Sequence, residues 1–213
     1  MTVRWRRQKP DPYDKPWRTV DYAVVDLETT GLDLRHDTIA SYGVSVIRQG
    51  RMIVAENAYS LVRPESTMSA DSVTIHALRP CDLTDAPPLS AAVAALDRAL
   101  TDRVLVAHAA WVEQAFLGRA FRANRKTLRC AVIDTAAMAR AAGLAEAQLR
   151  AEPNLEELAG ELRLPVVSPH HALGDAITAA EVFLALATRL SRRGYHTARD
   201  LIDLTTADRA LRR

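Results

Sequence analysis

Two carboxylates stand two positions apart in the segment Tyr22-Ala-Val-Val-Asp26-Leu27-Glu28. If that segment is a strand, Asp26 and Glu28 leave one face together and Leu27 points to the other. Two negative groups side by side next to a Val-rich run are unfavourable through desolvation and repulsion unless donors or a cation compensate. A divalent cation compensates directly, and hard oxygen ligands suit Mg²⁺ or Mn²⁺. Alone, the pair fits equally well a strand emerging into solvent with two exposed acids. A second cluster, His170-His171-Ala-Leu-Gly-Asp175, places an acid at the start of a long helical pattern with histidines in the loop ahead of it. Alone, that too has an ordinary reading, since acids commonly sit at helix N-termini.

The elements that must position these groups follow from pattern. Residues 22–28 open with a short apolar run, as a buried central strand does, and close on Thr29-Thr30-Gly31. Residues 37–48 and 51–62 are β-rich and meet at Gln49-Gly50, which predicts an antiparallel meander of three strands. Thereafter the texture alternates. Val93, Leu96 and Leu100 recur at helical spacing, Val104 to Ala107 is a compact apolar run, and a helix is expected from about Trp111 to Ala123. A strand over 129–133 leads into a helix capped at Asp134-Thr135 and running to about Ala142. Asn154 with Glu157 has capping-box spacing, with Leu155, Leu158 and Leu162 on one face of the following helix. The last core helix is expected from Asp175 to Arg193, with Ile177, Ala180, Leu184 and Ala187 as its buried stripe and Gly194 at its end. Strands first and βα units afterwards indicate an α/β sandwich around a mixed sheet.

The bulk numbers set limits. A chain of 213 residues buries one sizeable core, so one domain is the default. Twenty-eight basic residues against 26 acidic ones leave a net charge of +2, so any grip on a polyanion must come from local clustering. Cys81 and Cys130 lack metal-type spacing and are read as structural free thiols of a reducing compartment. The basic, Pro-interrupted residues 1–20 have no apolar core of a secretory signal, and no later run is long enough to span a bilayer. A soluble, cytoplasmic protein without membrane contact is expected. Residues 1–20 read as a loosely ordered basic arm, 21–193 as the domain, and 194–213 as an amphipathic helical extension carrying Leu201, Leu204 and Leu211 on one side.

Three separated motifs occur in a fixed order: Asp26-Leu-Glu28-Thr-Thr-Gly31, then His108 with Glu113 and Phe116-Leu117, then His170 with Asp175 five positions on. Together they resemble the DnaQ-like (DEDDh) 3′→5′ exonucleases, the family of the DNA polymerase III epsilon subunit, over roughly residues 21–190. Ile75-His76-Ala-Leu78 and Val132-Ile-Asp134-Thr135 are similar to supporting stretches of that family. The middle motif departs from the usual His-Asn-x-x-Phe-Asp: the chain reads His108-Ala109-Ala110-Trp111-Val112-Glu113. Glu113 keeps the charge and both oxygens but places them one methylene farther from the backbone.

The resemblance implies a ribonuclease H-like fold with a five-stranded mixed sheet flanked by helices. It implies two divalent cations, Mg²⁺ or Mn²⁺, held by Asp26, Glu28, Glu113 and Asp175, with His170 rather than His171 as the base. It further implies that Leu27, Thr29, His76 and His108 meet the terminal nucleotide. Asp134 is read first as a helix cap. The expected activity is release of 5′-mononucleotides from the 3′ end of single-stranded nucleic acid, with DNA favoured, of proofreading or repair type, and with a polymerase or other replication or repair protein as partner. The alternatives are a weakly active or inactive nucleic-acid-binding module of the same fold, and an exoribonuclease that trims RNA 3′ ends.

Overall fold

The strand that carries the first acid pair, β1 (Tyr22–Thr29), lies in the middle of the sheet, and its first four residues are buried from both sides. The computed structural model describes residues 11–145 and 152–212. Strand β2 (Ile39–Arg48) runs antiparallel to β1, with Asp26 opposite Gly43 and Glu28 opposite Ser41. Gln49 and Gly50 both have positive φ, the backbone a tight hairpin turn demands. The predicted third strand over 51–62 is instead two short ones, β3 (Arg51–Met52) and β4 (Ala58–Leu61), both paired with β2. A 3-10 turn at Val54–Glu56 separates them, and it sets Glu56 against the guanidinium groups of Arg48 and Arg103. The sheet therefore has six strands where five were expected.

After helices α1 (Ala70–His76) and α2 (Leu89–Leu100) come β5 (Val104–Ala107), α3 (Trp111–Ala123), β6 (Val132–Asp134) and α4 (Thr135–Ala141). Helices α5 (Leu155–Glu161), α6 (Ala172–Ser191) and α7 (Ala198–Leu211) complete the chain. β5 joins β1 in parallel and β6 joins β5 in parallel, giving the order β3-β2-β1-β5-β6, with β4 on β2. One face packs Ala23, Val25, Val44 and Leu105 against α2 and α3. The other packs Tyr22, Val24, Ile47 and Val106 against Phe183, Leu186 and Leu190 of α6, with α4 and α7 beyond.

Helix α6 begins at Ala172, three residues before the predicted start, so Asp175 completes the first turn instead of opening it. Its buried face is also wider than predicted. Ala180 and Ala187 are buried as expected, but Ile177 and Leu184 are half-exposed while Ala176, Ala179, Phe183, Leu186 and Leu190 are buried. The helix is enclosed by the sheet, α4 and α5, so an Ala-rich pattern could not single out one stripe.

Of the stretch expected as a loose arm, residues 1–10 lie outside the described residues, and residues 11–20 are anchored to the domain by Trp17 while most of their side chains are exposed. Trp17 is buried edge-on against Phe183, donates its indole N–H to Ser191 Oγ at 2.8 Å, and gives its carbonyl to the Tyr22 hydroxyl at 2.6 Å. Aromatics scattered among prolines and charged residues carry no periodic signal, which is why pattern missed Trp17. Helix α7 starts with a reciprocal Thr197–Asp200 capping box. It buries Leu201 and Ile202, half-buries Leu204 and leaves Leu211 exposed. Cys81 is exposed and Cys130 half-buried, and both are free.

Candidate active site

Three acids from distant parts of the chain converge towards the end of β1. Asp26 and Glu28 point from the α6 face, and beside them the start of α6 crosses over Gly43, the residue of β2 opposite Asp26. A Cβ at Gly43 would come within 2.2 Å of the Ala172 carbonyl oxygen. Only a bare backbone lets α6 approach this closely, and that approach delivers Asp175. Carboxylate oxygens of Asp26, Glu28 and Asp175 all lie within 4.8 Å of one another.

The loop before α6 is held in the same way. A Cβ at Gly174 would meet the Val167 carbonyl at 2.2 Å, and the Val167 amide donates to Thr178 Oγ1 at 3.0 Å. His170 adopts a positive φ of 58° and donates its backbone N–H to Asp175 Oδ2 at 3.0 Å. The two histidine rings then diverge. His170 Nε2 lies 3.6 Å from Glu156 Oε1 in the first turn of α5. His171 stacks on Tyr59 of β4, ring centroids 4.3 Å apart.

Glu113, in the first turn of α3, is buried, and its Oε2 has no hydrogen-bond partner. It is not among the three acids that share the 4.8 Å cluster. Repulsion nevertheless links it to Asp26 and Glu28. Burial is the main cause of the upward shifts throughout. It raises Asp26 well above the carboxylate range, helped by Glu113, Glu28 and Asp175. Glu113 rises through burial and the nearby Asp134 and Glu28 charges. Glu28 is pushed up to about 7 by burial and then by Asp175. Asp175 reaches about 6 through burial, opposed by the His170 N–H. A group of acids strained towards protonation, with an orphaned buried oxygen behind it, fits hard divalent cations of the Mg²⁺ or Mn²⁺ kind.

The remaining predicted residues are placed around this cluster, with their polar atoms turned largely to the protein. Leu27 packs on the opposite face with the α2–α3 core. Thr29 donates its hydroxyl to the Gly31 carbonyl at 2.7 Å. His76 is buried, its Nδ1 accepting from the Leu78 N–H and its Nε2 facing the Thr29 carbonyl at 3.2 Å, so it braces the end of β1. His108 has Nδ1 2.8 Å from Thr135 Oγ1 and Nε2 2.6 Å from the Pro153 carbonyl, and it ties the end of β5 to α4 and α5. Burial lowers the pKa of both imidazoles. Asp134 accepts from the Ala136 N–H at 2.8 Å, as a helix cap does.

Pattern missed Gly43, Tyr59 and Glu156. An isolated glycine inside a strand signals close backbone approach, so Gly43 was open to detection. Tyr59 and Glu156 matter only through register and helix packing, which no local signal carries.

Comparison with known proteins gives the following. A family model described as Exonuclease matches residues 23–183. A DNA polymerase III subunit epsilon of Treponema pallidum is 31% identical over 181 residues, covering 83% of this chain and 81% of that protein. A DNA polymerase III subunit epsilon-like protein of Rhodobacter capsulatus is 30% identical over 188 residues, 86% of this chain but only 26% of the relative. The chain thus spans about a quarter of that relative. Exonuclease X, solved in complex with 5′ overhanging duplex DNA, superposes with a TM-score of 0.66 at 21% identity, over 86% of this chain and 99% of that one. E. coli Exonuclease I, solved with a dT13 oligonucleotide, gives 0.71 at 15% identity over 82% and 42%. These likenesses show a shared ribonuclease H-like fold. Among the described residues, no helix is long and apolar enough to cross a membrane.

Proposed function

This chain belongs to the DnaQ-like exonuclease family, and we propose that it is a metal-dependent 3′→5′ exonuclease releasing 5′-mononucleotides from single-stranded nucleic acid, DNA in preference to RNA. The observation that carries the reading is the convergence of Asp26, Glu28 and Asp175 oxygens within 4.8 Å, with Glu113, whose Oε2 is unpartnered, near enough to repel Asp26. The DNA preference is supported by the DNA polymerase subunit among its relatives and by the DNA-bound structures that share its fold. A polymerase or repair protein as partner is part of the same proposal. Residues 21–193 form the exonuclease domain, with residues 11–20 and α7 packed on it as flanks.

Asp26, Glu28, Glu113 and Asp175 would hold two divalent cations, Mg²⁺ or Mn²⁺. When bound, the pair supplies charge neutralisation at phosphorus and a more acidic attacking water. His170 accepts that water's proton, the water oxygen bonds to phosphorus, and the bond from phosphorus to the 3′ oxygen breaks. The freed 3′ oxygen takes up a proton from solvent water and His170 returns its proton to solvent, leaving a 5′-mononucleotide and a strand one residue shorter. The His170 ring must leave Glu156 to do this, and its side chain is exposed with 3.6 Å separating the two. Leu27, Thr29, His76 and His108 are proposed to meet the terminal nucleotide at the end of β1, Leu27 through its backbone, since its side chain packs on the opposite face.

Shortening of a 5′-labelled DNA oligonucleotide with Mg²⁺ or Mn²⁺ tests the reading, beside an RNA of the same sequence at equal salt. Asp26→Ala and Asp175→Ala should abolish the ladder, and His170→Ala should lose about 10²- to 10⁴-fold. His171→Ala should lose far less. Acid variants that digest like wild type would end the assignment, and equal losses at the two histidines would remove His170 as the base.

A further inference from the structure

The loop that leads into α6 holds two residues in the left-handed region, Ser168 with φ 41° and His170 with φ 58°. Side chains with a Cβ resist that conformation, so the loop needs contacts that hold it. Backbone bonds supply part: the His171 N–H reaches the Ser168 carbonyl at 3.2 Å, and the Asp175 N–H reaches the His171 carbonyl at 3.0 Å. His171 therefore stands at a junction, between the loop that carries His170 and the first turn that carries Asp175.

His171 is the N-cap of α6, yet its side chain makes no cap hydrogen bond. Its ring lies instead on Tyr59, with centroids 4.3 Å apart and planes 28° from parallel. Register brings the two together. Tyr59 of β4 is the partner of Gly43 in β2, and Ala172 crosses directly over Gly43, so the Tyr59 ring rises beside the residue that precedes Ala172. Both residues are exposed, so core packing does not account for the pair. Partial burial raises the pKa of the Tyr59 hydroxyl and the Glu28 charge adds to it, which sets the stack beside the acid cluster.

We infer that His171 and Tyr59 are positioning residues of the acidic site: their stack clamps the strained loop to β4, and through the loop it fixes both the His170 base and the Asp175 carboxylate against β1. The inference rests on the exonuclease reading. It divides the two adjacent histidines, one to accept a proton and one to hold the loop, and the second needs an aromatic face rather than a ring nitrogen.

The test compares Tyr59→Phe and His171→Phe, which keep two stacked rings, with Tyr59→Leu and His171→Ala, which do not. Histidine ring protons are followed by NMR in EDTA, and kcat and KM are measured on a 5′-labelled dodecathymidylate with Mn²⁺. The His171 ring protons, identified by their loss in His171→Phe, should be displaced upfield by the Tyr59 ring in wild type and in Tyr59→Phe. They should return to the ordinary range in Tyr59→Leu. Tyr59→Leu and His171→Ala should each lower kcat roughly three- to tenfold, the equivalent of one aromatic pair, well short of the loss expected at His170. KM should stay within about twofold, because a clamp on the loop acts on the chemistry and not on strand binding. The Phe variants should recover most of kcat, and Tyr59→Leu combined with His171→Ala should lose no more than either alone.

Wild-type kcat in Tyr59→Leu and His171→Ala, with the strand still shortened, would overturn the clamp and leave the exonuclease reading standing. So would a His171→Phe variant as slow as His171→Ala, which would give the imidazole a chemical role, or a loss confined to KM, which would put the rings on the strand. Ring protons at ordinary shifts in wild type would overturn the stack itself. A wild-type protein that shortens no oligonucleotide would remove the exonuclease reading and the clamp's role with it, whatever the ring protons show.

Discussion

Strand β1 and helix α6 meet twice, and the two meetings obey opposite rules. Towards the start of β1, Tyr22 and Val24 pack on Phe183, Leu186 and Leu190, fully buried, with the Tyr22 and Phe183 rings 4.7 Å apart and the Tyr22 hydroxyl satisfied. Towards its end, the same strand and helix press Asp26 and Glu28 against Asp175, where each carboxylate is shifted towards protonation. The first contact stabilises the fold and the second opposes it. Placing both on one pair of elements means that a rigid apolar contact fixes the geometry of an electrostatically unfavourable one two turns away. Strained charge is kept where chemistry needs it, and the adjacent core offsets the cost.

Exchanging the roles of the two contacts gives the largest expected effect. Phe183→Ala should cost about 3–5 kcal/mol of unfolding free energy. Asp26→Asn removes a repelling charge, so it should raise the metal-free melting temperature while abolishing nuclease activity. Denaturant and thermal melts in EDTA measure both, and a destabilised Asp26→Asn would break the contrast.

Gly43 is the point at which the second contact is made possible. Gly43→Ala must displace α6 from the sheet, since its new methyl would stand 2.2 Å from a backbone oxygen. A loss of about 1–3 kcal/mol, together with most of the activity, is expected. A methyl added at Gly160 in α5 would meet nothing within 4 Å, and Gly160→Ala should instead stabilise by about 0.5–1 kcal/mol. Thermal melts of the two variants, paired with activity, separate close approach from helix propensity.

The mildest test is titration. Glu28 and Asp175 are shifted up, to about 7 and about 6 from ordinary values of 4.5 and 3.8. The folded protein therefore holds more protons than the unfolded chain across that range. Their contribution to stability is fully present below about pH 4 and is lost as pH rises through 6 to 7. In EDTA these two groups should make the melting temperature fall between about pH 4 and pH 7, with the fall blunted in Glu28→Gln. Mn²⁺ added at a hundred times its Kd should restore about 2.7 kcal/mol at pH 7.5 or above. An Mn²⁺ response that survives Asp26→Asn would detach metal binding from the acid cluster.

Much of this molecule is legible in its residues. An apolar run ending in Asp26-x-Glu28 gives both the central strand and the shared face of its acids, because side-chain alternation in a strand is fixed by the backbone. The bounds of α3, and the caps at Asp134 and Asn154, follow from equally local chemistry. Legibility ends where an element depends on a remote neighbour. The break at Val54–Glu56 brings Glu56 to Arg48 and Arg103, and the burial of Trp17 depends on Phe183 and Ser191 far along the chain.

The chain's order of residues thus determined which groups carry charge, which strand presents them, and which helix brings the last acid. Tertiary structure alone decided that Asp175 lies within 4.8 Å of Asp26 and Glu28, that Glu113 is buried within reach of their charges, and that the two neighbouring histidines take different partners. The reason is one of range: backbone alternation and capping act over a few residues, whereas the distance between β1 and α6 is set by a missing side chain at Gly43 and by the packing of the whole sheet face against the helix.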